Sequence, residues 1–243
     1  MHRTIHNIRK TVKQTQPLIH CITNPISINQ CANAILAVGA RPIMAEHPLE
    51  VREITKTADA LLCNLGNITD ARMESMKTAL ITAKEKEIPT VIDAVGIACS
   101  ELRRNFLGEL LKTGIPTVIK GNYSEIAALY YENYRSSGVD ADASLDQNAV
   151  SRMAAELAQS YGNVILASGK TDIITDGKRL ICGNNGTPRL ASVTGTGCML
   201  GVICTVFLSF NDAISSAIKA CATLGICGEL SETENGNGTF LVN

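Results

Sequence analysis

Thr194-Gly195-Thr196-Gly197-Cys198 stand between a polar stretch and an apolar, helix-length run that continues to Phe210. Two glycines in five residues let the backbone turn tightly and present its N–H groups, and a helix behind the turn adds the positive end of its dipole. Such a turn suits a phosphate or a developing oxyanion. It serves equally well as a plain strand–helix connection, since short glycine patterns are weakly specific. Cys198 sets a thiol at its mouth.

Two carboxylates change the balance. Asp93 lies near the end of the strand-like TVIDAV, and Glu125 closes Asn122-Tyr123-Ser124-Glu125 just after the next strand-like run. Oxygen donors beside phosphates are what Mg²⁺ takes, with waters completing its octahedron. Taken singly, Asp93 reads as a loop-capping carboxylate and Glu125 as a helix first-turn acid. Both acids together with the glycine turn favour a metal–phosphate site. Lys120, before Gly121, could reach a nucleotide phosphate as a point charge; otherwise it is a solvated strand-end lysine. Ser168, ending NVILAS, could contact phosphate, though alone it reads as turn chemistry. The four histidines form no catalytic set: His2 and His6 fall in a surface helix, His20 inside the first strand and His47 in a loop.

The elements that must position these residues alternate. Strands are expected at 17–23, 41–45, 60–65, 90–95 and 116–121, and three more within 163–183. Helices are expected at 30–39, 49–58, 69–87 with Thr69 as cap, 101–114 closed by Gly114, from Ser124, 146–161, 196–210 and 212–230. Tyr131 to Asp146 reads as an irregular polar excursion. Alternating strands and helices imply βαβ units and a parallel sheet covered on both faces, with antiparallel additions at one edge from the last strands. Ligands of such sheets bind at the carboxyl ends of the strands. Asn24, Met44, Asn64, Asp93 and Asn122 fall there.

The 243 residues suit one α/β domain, residues 1–243, without repeat or linker. A net charge of -1, from 22 basic and 23 acidic residues, leaves no electrostatic footprint for nucleic acid or anionic membrane. Nine cysteines, odd in number and without a CxxC pair, read as reduced thiols of a cytoplasmic protein. The polar N-terminus lacks a signal peptide's apolar run. The longest apolar run, Cys198 to Phe210, is short of the roughly 20 residues a bilayer needs.

PLIHCITN with Asn29 and CAN, PIMAE, CNLGN, DAVG, GNYSEI, VTGTGCMLG and GICGEL together are far more specific than any one of them. By them the chain resembles the hydroxyethylthiazole kinase family, of the ribokinase-like fold. The resemblance runs almost end to end and implies an α/β three-layer sandwich with a mostly parallel central sheet. It implies transfer of the γ-phosphoryl of ATP, with Mg²⁺, to the primary alcohol of 4-methyl-5-(2-hydroxyethyl)thiazole in thiamine salvage. It also implies a homotrimer with active sites between subunits. Met44, Asn24 and Gly195 would then contact the thiazole, Lys120, Ser168 and Asn122 the ATP, and Asp93 and Glu125 the magnesium and its waters. Thr194, Gly195, Gly197 and Cys198 would stabilise the transferring group. Cys198 occupies a position where most ribokinase-like kinases keep an aspartate base. Because phosphoryl transfer passes through a loose transition state, Cys198 is expected to orient the alcohol and assist weakly.

The chain departs from its family at several positions. Lys120 stands for arginine, Ser168 for threonine and Ala94 for proline, and the late segment reads GNGTF, Gly236 to Phe240. Three rival readings remain at this point: a kinase of another small alcohol such as a hydroxymethylpyrimidine, a non-catalytic nucleotide or thiazole binder, and a thiol enzyme with Cys198 as nucleophile.

Overall fold

The computed structural model describes residues 12–136 and 145–234. The expected helix around His2 and His6, the middle of the polar excursion and the Gly236–Phe240 segment lie outside them. Eight strands form one sheet: β1 (Leu18–Ile22), β2 (Arg41–Ile43), β3 (Ala60–Asn64), β4 (Thr90–Asp93), β5 (Val118–Asn122), β6 (Val164–Ser168), β7 (Asp172–Thr175) and β8 (Leu180–Gly183). Their spatial order is β2-β1-β3-β4-β5-β6-β7-β8. The strands from β2 through β6 run parallel, and β7 and β8 are added antiparallel at the far edge, as the sequence leads one to expect.

The helices are α1 (Ile28–Val38), α2 (Val51–Thr57), α3 (Asp70–Glu85), α4 (Glu101–Thr113), α5 (Tyr123–Tyr130), α6 (Gln147–Tyr161), α7 (Thr196–Leu208) and α8 (Ala213–Glu234). Successive strand residues point to opposite faces, which sorts the core. Ile19, Cys21, Leu62, Val91, Val118 and Leu166 pack under α1, α7 and α8. Ile22, Leu61, Cys63 and Ile92 pack against α3 and α4 on the other face, and Ile119, Ile165 and Ala167 against α5 and α6. Strands buried on both sides need the near-continuous apolar runs this sequence supplies.

Local signals set the helix ends. The Thr69 hydroxyl accepts from the Arg72 N–H and caps α3, and the Ser100 hydroxyl does the same for α4 through Arg103. Gly114 closes α4 in an extended conformation, φ -173°, rather than in the left-handed cap that glycine there suggests. A short 3₁₀ helix, Pro188–Ser192, leads into the glycine turn and has no counterpart in the sequence reading.

The last helix also exceeds expectation. Ala213–Ser231, 19 residues at a mean hydropathy of 1.3, is by length and composition long and apolar enough to cross a membrane, and half of the stretch is buried inside the molecule. It packs against α7 and the strands β6 to β8, so its apolar character is used in the core.

Phe106 of α4 is among the largest fully buried side chains. Phe106→Ala is expected to lower unfolding free energy by about 3–5 kcal/mol, measured by urea denaturation.

Candidate active site

The sheet order reverses at β1: the chain steps from β1 to β2 on one side and returns to β3 on the other. The crevice outside the carboxyl ends of β1 and β3 is therefore the natural binding place. Two asparagines bridge it. Asn24, after β1, donates from Nδ2 to Asn64 Oδ1 at 3.1 Å and to Cys198 Sγ at 3.4 Å. Its Oδ1 accepts the Ile26 and Ser27 N–H groups, both at 3.1 Å, which fixes which end of the amide faces the thiol. Asn64, the last residue of β3, accepts from the Gly66 N–H at 2.9 Å and donates from Nδ2 to Asp93 Oδ2 at 3.0 Å. Asp93 Oδ1 in turn accepts from Lys120 Nζ at 3.0 Å. One hydrogen-bonded chain thus runs Lys120–Asp93–Asn64–Asn24–Cys198 beneath the edge of the sheet.

Helix α7 lies on top of this chain. It begins at Thr196 with Gly195 as N-cap, φ +92° and without a side-chain cap, so the first-turn N–H groups are left for a ligand. Glycine is required at 195 twice over. The left-handed φ strains any L side chain, and a Cβ there would lie 3.0 Å from Ser27 Cβ. Gly197 and Gly201, one turn apart, let the helix settle onto the ion pair. A Cβ at 197 would stand 3.4 Å from Lys120 Nζ, and one at 201 would stand 3.2 Å from Asp93 Oδ2. A buried ammonium therefore sits directly under an open helix N-terminus. Both attract negative charge.

Burial of the Lys120 ammonium works against its charge, but Asp93, Glu125 and Cys198 outweigh this and hold its pKa above that of an ordinary lysine. Burial pushes the Asp93 carboxyl up, opposed by the ammonium and by the Asn64 amide. Glu125 forms a capping box with Asn122. The Asn122 side chain accepts the Glu125 N–H at 2.9 Å, and Glu125 Oε2 accepts the Asn122 N–H at 2.6 Å. Its other oxygen accepts the Gly96 N–H at 2.7 Å, tying the turn after β4 to the start of α5. Burial raises the Glu125 pKa to about 7, against the pull of Lys120 and the two N–H groups.

Met44 follows β2 and, like Cys198, packs partly buried against the core under α1 and α7. Its loop is pinned on both sides. His20 Nε2 meets the Ala45 carbonyl at 3.0 Å, the Ser75 hydroxyl donates to the Glu46 carbonyl at 2.8 Å, and the Arg72 guanidinium grips the Glu46 carboxylate at 2.7 and 3.1 Å. Ser168 stands further along the same edge, its hydroxyl donating to the Gly121 carbonyl at 3.3 Å. The loop beyond it rests on Tyr123. The Tyr123 hydroxyl donates to the Thr171 carbonyl at 2.7 Å, and a Cβ on Gly169 would strike the ring at 2.7 Å.

The structure therefore gathers Asn24, Asp93, Lys120 and Cys198 into one contact network, with Glu125 close enough to act on Lys120, and sets Thr194, Gly195 and Gly197 above it. Lys120 is not a solvated strand-end lysine: it is buried against Asp93. Met44, Asn122 and Ser168 stand along the same edge, Asn122 bonded to Glu125 and Ser168 to the Gly121 carbonyl. His20 is a core histidine and His47 is a loop residue away from Cys198. The residue missed as a site member is Asn64. It was legible only as a polar side chain at a strand end, and its partners come from β4 and from the loop after β1. Among the described residues no group of three or more His, Cys, Asp or Glu could hold a metal by itself. Each oxygen of Asp93 and Glu125 accepts a hydrogen bond and has a further lone pair. Two such carboxylates fit Mg²⁺ held mainly by phosphates and waters rather than by a protein cage.

Two measurements follow from these contacts. Lys120→Met leaves the Asp93 carboxylate buried without its cation and is expected to cost about 3–5 kcal/mol of stability, read from denaturant midpoints at pH 7. For His20, burial is the main cause that lowers the pKa from 6.5, partly offset by the Ala45 carbonyl and Glu50. Below pH 6.5 the unfolded chain binds a proton that the folded chain resists, so stability is full above that pH and falls as pH drops. Glu125, with its pKa raised to about 7, works in the opposite sense over the same window, so the His20 contribution is read as a difference. In urea titrations from pH 7.5 to about 5 the wild type should lose stability relative to His20→Gln as pH drops.

Comparison with known proteins agrees with this architecture. Residues 9–243 match the profile of the Hydroxyethylthiazole kinase family. Hydroxyethylthiazole kinase 2 of Clostridium botulinum is 46% identical over 240 residues, covering 96% of this chain and 90% of the relative. The solved hydroxyethylthiazole kinase protein of Pyrococcus horikoshii superposes with a TM-score of 0.88 at 31% identity, covering 99% of this chain and 90% of that one. A ribokinase-like superfamily protein of Enterococcus faecalis, 14% identical with a TM-score of 0.64 over 94% of this chain and 85% of its own, shares the fold. With the profile matched over nearly its whole length and the sheet, the glycine turn and the Cys198 network in place, the chain belongs to the hydroxyethylthiazole kinase family.

Proposed function

We propose that the protein phosphorylates the primary alcohol of 4-methyl-5-(2-hydroxyethyl)thiazole with ATP in thiamine salvage, acting as one kinase domain in the cytoplasm. The observation that carries this reading is the uncapped N-terminus of α7 above the buried Lys120 ammonium, with Cys198 at its mouth. The N–H groups of the Thr194–Cys198 turn and the ammonium below it take the charge of the transferring phosphoryl group. Met44 and Asn24 wall the acceptor side. Gly195 leaves room there for the ring and for the phosphoryl path. Lys120, Asn122 and Ser168 serve the ATP side. Mg²⁺ neutralises the ATP phosphates, and Asp93 and Glu125 are the carboxylates that would hold it or its waters.

In the reaction the alcohol oxygen bonds to the γ-phosphorus, the bond to ADP breaks, and the alcohol proton passes late to an oxygen of the transferred phosphoryl group and from there to solvent. A weak partner such as Cys198 therefore suffices to orient the hydroxyl.

The protein further assembles as a homotrimer with sites between subunits. Ile26 and Leu49, 61% and 89% exposed, flank Asn24 and Met44 and supply apolar surface for a neighbouring copy to cover.

Incubation with Mg-ATP and the thiazole alcohol should give the thiazole phosphate by mass spectrometry, in amounts that fall when Glu125 is changed to Gln. A hydroxymethylpyrimidine converted in its place would overturn the substrate assignment. Sedimentation should give about three times the 25.9 kDa chain mass, and Leu49→Asp should shift it toward the single chain.

A further inference from the structure

Asn64 touches neither the glycine turn nor the open edge of the site, yet its side chain makes three hydrogen bonds. It accepts from the Gly66 N–H at 2.9 Å and from Asn24 Nδ2 at 3.1 Å, and it donates to Asp93 at 3.0 Å. The Gly66 N–H marks which end of the Asn64 amide is the oxygen. That oxygen then draws one of the two Asn24 N–H groups, and the geometry of a planar NH₂ leaves the other aimed at Cys198 Sγ, 3.4 Å away. Sulfur is a weak acceptor, so this last bond cannot hold Asn24 in place by itself. Its direction is set by the stronger bonds behind it.

We infer that Asn64 is a positioning residue for the phosphoryl transfer: through the Asn24 amide it fixes the orientation of the Cys198 thiol toward the acceptor alcohol. An N–H donor occupies one side of Sγ, and Cys198 is half-buried. The sulfur is then left with its own S–H and one lone pair for the hydroxyl of the substrate. Without Asn64, the Asn24 amide keeps its backbone bonds to Ile26 and Ser27 but loses the anchor that orients its NH₂. The thiol is then free to turn. The same side chain joins this arrangement to the Asp93–Lys120 pair, so the acceptor side and the phosphate side share one hydrogen-bonded frame.

This inference rests on the reading that Cys198 faces the acceptor alcohol, and a double-mutant cycle separates the two. The four proteins are wild type, Asn64→Ala, Cys198→Ala and the double variant, compared in kcat and KM for the thiazole alcohol. The rate of Cys198 alkylation by iodoacetamide is followed in wild type and Asn64→Ala by peptide mass spectrometry. The expected result is a roughly fivefold loss of kcat in Asn64→Ala that shrinks to less than about twofold when Cys198 is already Ala, together with an altered Cys198 alkylation rate. An equal loss in both backgrounds would overturn the inference, since Asn64 would then act through Asp93 or through the fold. If wild type itself transfers no phosphoryl group, the functional reading fails and with it the role in transfer, and alkylation decides the orientation of the thiol alone: an unchanged rate in Asn64→Ala overturns that too, and a changed one upholds it. Should Asn64→Ala not fold, Asn64→Ser keeps a hydroxyl for the Gly66 N–H, drops the donor to Asp93, and takes its place in the same cycle.

Discussion

The buried ion pair between Lys120 and Asp93 is the constraint around which this site is arranged. Placing an ammonium and a carboxylate out of water costs several kcal/mol for each ion, and attraction at 3.0 Å repays it only with further hydrogen bonds. The chain supplies them through the Asn64 amide on Asp93 and through the nearby Glu125 carboxylate. A hydrophobic pair would fill the same space at no such cost. The charge is retained where it can act, under the uncapped end of α7 at the carboxyl ends of β4 and β5. Donors held rigidly in a dry site stabilise developing charge without reorganising at the moment of reaction.

Helix α7 has to come very close for this to work. Gly201 lies on its underside, where a Cβ would crowd the carboxylate at 3.2 Å, and a Cβ at Gly197 would just reach contact with the ammonium at 3.4 Å. The otherwise continuous apolar surface of the helix, Met199 through Leu208, packs into the sheet and the last helix. The same element is thus a core helix along its length and an anion cradle at its first turn. On the other side of the crevice, the loop that carries Met44 is held by His20, Ser75 and Arg72. Little of the pocket wall is left to loop motion.

Much of this was legible in the sequence. The strand–helix alternation, the antiparallel edge and the Thr69 cap follow from periodicity and end signals. The glycine turn, Asp93, Glu125 and Cys198 follow from residue type at strand ends, and the resemblance supplied the reaction. What could not be seen is which side chains meet. Lys120 read as a strand-end cation able to face solvent, because its burial depends on α7, some 75 residues further on. The spacing Asn122-x-x-Glu125 ahead of an apolar run is itself a capping-box signal, but nothing in it shows that Glu125 reaches back to Gly96. Asn64 was one polar strand end among several. Its importance arises from contacts to residues 40 positions before it and 29 after it. Long-range pairing of this kind leaves no periodic trace.

The central claim is that the first turn of α7 and the ammonium beneath it receive the group in flight. The most direct measurement is a crystal structure with Mg²⁺, ADP, the thiazole alcohol and aluminium fluoride, whose planar fluoride mimics the phosphoryl group in transit. The account predicts the fluoride against the N–H groups of Thr196, Gly197 and Cys198, above Lys120 Nζ, with the alcohol oxygen beside Cys198 Sγ. A fluoride bound away from that turn, or an alcohol out of reach of Cys198, would contradict it.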